Sequence, residues 1–208
     1  MTAEQITEAQ RRASKKGITE AQNQASVTYS TDQGGTRDYR EDAKWFRLAA
    51  EQGVALAQYN LAGLYFNGQG VSQSYQESLK WYQKAANQGF APAQTFLGWM
   101  YANGKGVPQN DREAWKWYQM AAEQGDREGQ FQLGLLYLNS PEKTQHLVEA
   151  FKWFSLSAGQ GNTNAIKFRG QLSVSMTPKQ LADARNRAAQ FKPKKESGAV
   201  SEPSPKQP

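Results

Sequence analysis

A single histidine, His146, and no cysteine leave this 208-residue chain little from which to build a reactive centre. Without a thiol there is no sulfur nucleophile, no disulfide framework and no thiolate-bound metal. One imidazole without a cysteine partner does not make a zinc site, so His146 reads as an ordinary surface residue in the loop before a helix. Serine nucleophile motifs, phosphate loops and dinucleotide fingerprints are missing too. Gly68-Gln69-Gly70 and Gly104-Lys105-Gly106 could pass for phosphate cradles, but they recur 36 residues apart and therefore read as turns. The expectation is a protein that is not an enzyme, with no catalytic residue, cofactor or metal.

What the residues do instead is repeat. Trp45-Phe46, Trp81-Tyr82, Trp117-Tyr118 and Trp153-Phe154 are spaced by 36 residues without an insertion or deletion. Gly53, Gly89, Gly125 and Gly161 keep the same interval, each closing an Ala-rich stretch. So do Gln58, Gln94 and Gln130, then Leu61, Leu97 and Leu133, then Tyr65, Tyr101 and Tyr137. A period in the thirties marks a stack of helix pairs whose units share one continuous core. The glycine after each Ala-rich stretch takes the left-handed conformation that closes a helix, and the G-x-G element lets the chain reverse. The repeated rings read as packing between helices, since large aromatic side chains fill such space. The fold class expected is all-α, a right-handed α-solenoid of helix-turn-helix repeats with a 36-residue period.

The pattern A-x-x-x-L-G-x-x-Y-x-x-G-x-G-V followed by A-x-x-W-Y-x-x-A-A-x-Q-G resembles the Sel-one-like repeat family, a relative of the tetratricopeptide solenoids. It reads almost in full from Ala93 to Gly125 and well from Ala57 to Gly89. In the third unit Leu133, Gly134, Tyr137, Ala150, Trp153 and Gly161 remain, while Ser140-Pro141-Glu142-Lys143 replaces the glycine turn. A fainter unit before Trp45 keeps Gly17, Ala21, Gln22, Tyr29 and Gly34. The resemblance implies an interaction scaffold, since family members commonly assemble signalling, quality-control or envelope-associated complexes. Some cysteine-rich secreted relatives have been described as binding or hydrolysing penicillin-like compounds. Their hallmark disulfide in each repeat has no counterpart here.

The organisation expected is an N-terminal capping helix at 1–16, a degenerate repeat at 17–52, and repeats at 53–88, 89–124 and 125–160. A partial repeat and capping helix follow at 161–191, and a disordered basic tail at 192–208. Thr177-Pro178-Lys179-Gln180 opens the last helix with a capping residue, a proline in the first turn and a glutamine three positions on. Leu181, Ala184, Ala188 and Phe191 then follow at helical spacing to cover the final repeat. Residues 1–13 match 176–188 at six of thirteen positions. Either both segments are caps or the chain starts inside a once longer array. The tail, rich in Pro, Lys and Ser, has too little apolar content to order itself.

The net charge of +6 is local. Residues 162–208 hold nine Lys or Arg against three acids, leaving sixteen of each in 1–161. An electrically balanced body argues against a nucleic-acid groove along the array. Contact with nucleic acid or a membrane surface is expected only through the basic C-terminal end. No signal peptide and no stretch long enough for a membrane helix is visible, which gives a cytoplasmic expectation. A monomer is expected.

The partner surface is sought where the repeats differ. Ala57, Gln58, Leu61, Ala62 and Tyr65 form the recurring face of the first helix of a unit. At 100° per residue, positions 56, 59, 63 and 66 fall on the opposite side. There the units vary yet stay apolar. Tyr59, Phe66, Trp99, Phe131, Leu135 and Leu138 are therefore the candidate partner-binding residues. They would line an apolar groove on the concave face for a peptide or helix, with Trp99 as its central anchor. The competing reading makes some of them core. A tether acting through the basic end, or a hydrolase of the cysteine-rich type, is the alternative function.

Overall fold

The computed structural model describes residues 38–140 and 143–194, and among these all regular structure is helical. The N-terminal capping helix, the glycines before Tyr39 and the tail beyond Lys194 lie outside the described residues. In chain order the helices are α1 (Tyr39–Glu51), α2 (Ala55–Asn67), α3 (Tyr75–Asn87), α4 (Ala91–Asn103), α5 (Asp111–Glu123), α6 (Arg127–Asn139), α7 (Lys143–Gly159), α8 (Thr163–Ser175) and α9 (Pro178–Ala189). Helices one repeat apart begin 36 residues apart, as the aromatic spacing required, except α7, which starts at Lys143, 32 residues after α5. None of them is long and apolar enough to cross a membrane.

Two kinds of helix alternate. The helices carrying the aromatic pairs bury one stripe: α3 turns Ser78, Trp81, Tyr82, Ala85 and Ala86 inward, the three-four spacing of an amphipathic helix. Among the alternate helices, α2 and α4 bury more of their circumference. In α2 the buried set is Ala57, Gln58, Asn60, Leu61, Ala62 and Leu64. We call the first kind B helices and the second A helices.

The first three B helices are started by specific residues, and all four are closed by a glycine at positive φ. Asp38 accepts from the backbone N–H groups of Arg40 and Glu41, Ser74 from Glu77, and Asn110 from Arg112 and Glu113. These N-caps satisfy amide donors that the first helical turn leaves unpaired. At the other end Gly53 sits at φ 88°, with its N–H on the Ala50 carbonyl and that of Val54 on Ala49. This is the left-handed glycine closure expected from the sequence, and Gly89, Gly125 and Gly161 share the positive φ. The Ala50 carbonyl also accepts Gln58 Nε2 at 3.0 Å, while Gln94 reaches Ala86 at 3.1 Å and Gln130 reaches Ala122 at 3.3 Å. The recurring glutamine thus ties each A helix to the end of the B helix before it.

The chain forms two compact units: residues up to Asn87 with Pro92–Trp117, and Gln88–Ala91 with the residues from Tyr118 onward. In the first, α2 packs against α1 and α3. The second glycine of the G-x-G turn has a purpose beyond reversal there. A Cβ on Gly70 (φ 70°) would lie 2.0 Å from the Tyr39 carbonyl oxygen, and one on Gly106 (φ 73°) 2.5 Å from that of Tyr75. The turns leaving α2 and α4 therefore press on the first residues of α1 and α3.

In the second unit α7 packs against α6, α8 and α9. Its core gathers Phe131, Leu147, Phe151, Phe154, Leu172 and Met176, with Ala165 and Ala184. The expected capping box opens α9: Gln180 donates its backbone N–H to the Thr177 hydroxyl, and Thr177 donates its own to Gln180 Oε1, with Pro178 in the first turn. His146 stands within α7 and not in a loop; its ring lies edge-on to Tyr137 at 5.3 Å. The expected tail boundary at 192 also moves. Phe191 packs edge-on to Trp153 at 5.6 Å, Pro193 lies against Gly125, and Lys194 donates both its backbone N–H (2.8 Å) and Nζ (2.6 Å) to Glu123. Residues 192–194 are held because Phe191 anchors them and Lys194 caps the C-terminal end of α5.

The two kinds of glycine predict different costs. Gly53→Ala, with open space around its Cβ, should lose about 1 kcal/mol for the left-handed backbone alone. Gly70→Ala carries the same backbone strain plus collision with a carbonyl and should lose more than about 2 kcal/mol. Urea unfolding of the two variants checks this; equal losses would remove the close approach from the account.

Candidate functional site

The structure distributes the six candidate residues unequally. Tyr59, Phe66 and Trp99 fall in the first unit, all half-buried. Phe66 lies edge-on to Trp99 at 5.6 Å and to Phe96 at 5.3 Å, and 5.1 Å from Tyr75. Phe96 in turn is 5.7 Å from Trp99 and stacks on Tyr82 at 4.5 Å, and Tyr59 meets the edge of Tyr82 at 5.5 Å. The sequence-derived residues thus belong to one aromatic cluster on α2, α3 and α4. Offset and edge-on rings at these distances attract one another by about 0.5–1.5 kcal/mol per pair beyond their area. Half-buried rings held by each other make a firm apolar face that still meets solvent.

Phe96 and Tyr75 belong to that cluster but are not among the sequence candidates. Phe96 occupies the position of Asn60 and Gln132 in the neighbouring units, so its departure from the repeat was the available signal. Tyr75 opens a B helix, where only the repeated pairs drew notice.

In the second unit Phe131 is 7% exposed, its ring 5.8 Å from both Phe154 and Phe168. It packs as core, because α7 and α8 bring two rings onto it. Leu135 and Leu138 are half-buried along the border of the same cluster. The second ring of each repeated pair is core as the sequence suggested, Phe46, Tyr82, Tyr118 and Phe154 being at most 2% exposed, while Trp45, Tyr65, Tyr101 and Tyr137 are half-buried.

Electrostatics around the tyrosines follows burial. Burial first, and then the charge of Glu128, pushes the Tyr118 phenol far above the ordinary tyrosine value. Tyr101 is raised by burial and Glu113, and Tyr137 by burial with Glu149 and Glu123. Each stays protonated and neutral across physiological pH. No group of three or more His, Cys, Asp or Glu side chains stands close enough to hold a metal among the described residues.

Helix pairs recurring at 36 residues, closed by left-handed glycines and tied by buried glutamines, define an all-α helical-repeat protein of the solenoid class. Four consecutive segments, 19–54, 55–90, 91–126 and 127–162, match the Sel1 repeat, and the chain belongs to the Sel1 repeat family. The matched boundaries sit two residues later than those read from the aromatic spacing. Among solved structures it is similar to a Sel1 repeat protein from Oxalobacter formigenes, with 33% identity, a TM-score of 0.67, and coverage of 81% of this chain and 72% of that one. It is also similar to c5321, a protective antigen of uropathogenic Escherichia coli with an SLR fold, at 30% identity and a TM-score of 0.69. That alignment covers 83% of this chain but spans only 38% of the E. coli protein. No curated protein sequence matches the chain. Sel1 repeat proteins are in general scaffolds for protein–protein interaction and not enzymes.

Two outcomes test these environments. Phe131→Ala should cost about 3–5 kcal/mol of unfolding free energy, and Leu138→Ala about 2 kcal/mol or less. Because the Tyr118 phenol holds its proton more tightly folded than unfolded, its contribution is complete below about pH 10 and lost as pH rises beyond it. The unfolded chain ionises first. Tyr118→Phe should therefore soften the alkaline fall in melting temperature without changing the neutral value by more than a few degrees; an unchanged alkaline slope would contradict it.

Proposed function

We propose that this protein is an interaction scaffold that takes a partner peptide or helix on the aromatic face formed by Tyr59, Phe66 and Trp99. The observation that supports this most is the half-buried state of these rings. Each packs on a neighbour, yet the cluster retains apolar surface at positions that differ from repeat to repeat. Repeats must reproduce the residues that hold them together, so positions free to vary are where selectivity can be built. Aromatic anchors bury large area at small entropic cost, which is why they dominate recognition surfaces. Trp99, touching Phe66 and Phe96, is the central anchor, and a partner would engage it with apolar residues at helical or extended spacing.

In the second unit Leu135 and Leu138, half-buried at the border of one core cluster, are the candidates, while Phe131 supports them from the core. Membership of a scaffold family is consistent with this reading, and the partner's identity follows from the experiment below.

A benzophenone-bearing phenylalanine placed at position 66 should cross-link a partner in cells, and the same group at the exposed Gln83 of α3 should not. Introducing Trp99→Asp into the position-66 variant should abolish the product, provided its circular dichroism stays helical. Identical cross-links from both positions would remove the aromatic face from the account.

A further inference from the structure

The last A helix breaks the repeat where the others are most constant. Leu61, Leu97 and Leu133 are at most 1% exposed. One period further on, the residue is Arg169. The tyrosine series 65, 101, 137 likewise ends in Ser173. Arg169 and Ser173, one turn apart on α8, face a cleft of about 490 Å³ completed by Phe151 and Ser155 of α7 and by Arg185 of α9. That size lies within the range of about 300–1,000 Å³ typical of ligand clefts.

The two guanidiniums are uncompensated. Neither Arg169 nor Arg185 has an ion pair or hydrogen bond to any described residue. Their neighbour Arg187 differs, being held by Asp183 at 2.9 Å and by Glu149 at 2.7 Å. No acidic side chain lines the cleft. Arg169 is half-buried and Arg185 exposed, so both guanidiniums can be reached from the cleft. The planar fork of arginine matches a carboxylate with two parallel hydrogen bonds.

We infer that the cleft between α7, α8 and α9 is a second docking site that binds a short acidic segment of a partner protein, with carboxylates paired to Arg169 and Arg185. Two forks from two helices suit two neighbouring carboxylates. The Ser155 hydroxyl adds a hydrogen-bonding group, and Phe151 and Ala188 provide apolar contact beside it. A lone inorganic anion would leave most of that volume empty. The site does not depend on the aromatic face of the first unit.

The probe is a fluorescein-labelled hexaglutamate peptide, titrated by anisotropy against the full chain at about 50 mM NaCl. Arg169→Gln with Arg185→Gln should weaken binding at least tenfold, and Arg169→Lys with Arg185→Lys should weaken it less. Lys167→Gln with Lys179→Gln removes the same charge from exposed positions of α8 and α9 and should leave the affinity within about twofold. Melting curves establish that each variant is folded, and Arg185→Gln alone, at an exposed position, should still weaken binding if the pair proves unstable. Equal weakening by the arginine and lysine pairs would reduce the effect to net charge and overturn the site. No binding to the unmodified chain, or displacement of the peptide by orthophosphate at lower concentration than unlabelled hexaglutamate, would overturn the assignment to an acidic protein segment.

Discussion

The carbonyl oxygens at the ends of the B helices are the constraint around which each repeat is arranged. A helix leaves its last carbonyls without intrahelical donors, and in a packed repeat those groups are shut away from water. Here the closing glycine supplies one backbone N–H, and the glutamine eight positions beyond the carbonyl supplies a side-chain donor. Leaving such a buried acceptor unpaired costs about 1–3 kcal/mol. Satisfying it from the next helix fixes where that helix starts and how it lies. The glutamines are themselves at most 4% exposed, so no water could take over their part.

A second constraint orders successive repeats. Because the turn glycines at 70 and 106 sit against the carbonyls of Tyr39 and Tyr75, the chain leaving an A helix is stopped by the start of the previous B helix. In the second unit the same task falls to side chains. Ser157 donates to the Arg127 carbonyl at 2.7 Å, and Gln160 to the Gly125 carbonyl and to Gln130 Oε1, both at 2.9 Å. Gln160 therefore braces the very glutamine that clips α6 to α5. Local closure and repeat-to-repeat registry are joined through one hydrogen-bonded chain.

The fold was legible because each of these devices needs one residue type at a fixed place, and such residues recur visibly. Glycine at positive φ and aromatic rings at 0–2% exposure admit few substitutes. The N-caps Asp38, Ser74 and Asn110 recur at the same period yet were harder to see, because three different side chains serve one role. The candidate surface was legible only in part. A helical projection places Phe131 beside Tyr59 and Trp99, but it cannot tell which side receives the next helix. In α6 that side meets Phe154 and Phe168, and the ring is buried. Phe96 was lost for the converse reason: it lies on the edge of the projected stripe, and the rings of Phe66, Tyr82 and Trp99 together bring it in. The docking of Phe191 and Lys194 was hidden because composition alone cannot register one anchor in a polar segment.

Where the array ends, its logic relaxes, and the last helices show what each repeated residue was for. At the position of the clipping glutamine α8 has Ile166, 46% exposed, and at the position of the core leucine it has Arg169. The matched repeats stop at residue 162, and the helix that follows α8 is the capping-box helix α9, so the recurring face of α8 need not be apolar. Yet α9 packs against α7, so that face is not simply released to solvent; it becomes one wall of a cleft. The polar residues Arg169, Ser173 and Arg185 are thereby gathered into a concavity instead of being spread over a surface. A repeat architecture can acquire a charged site this way without disturbing a single packed repeat, because α8 lies past the fourth matched repeat and is exempt from the rules that bind the others.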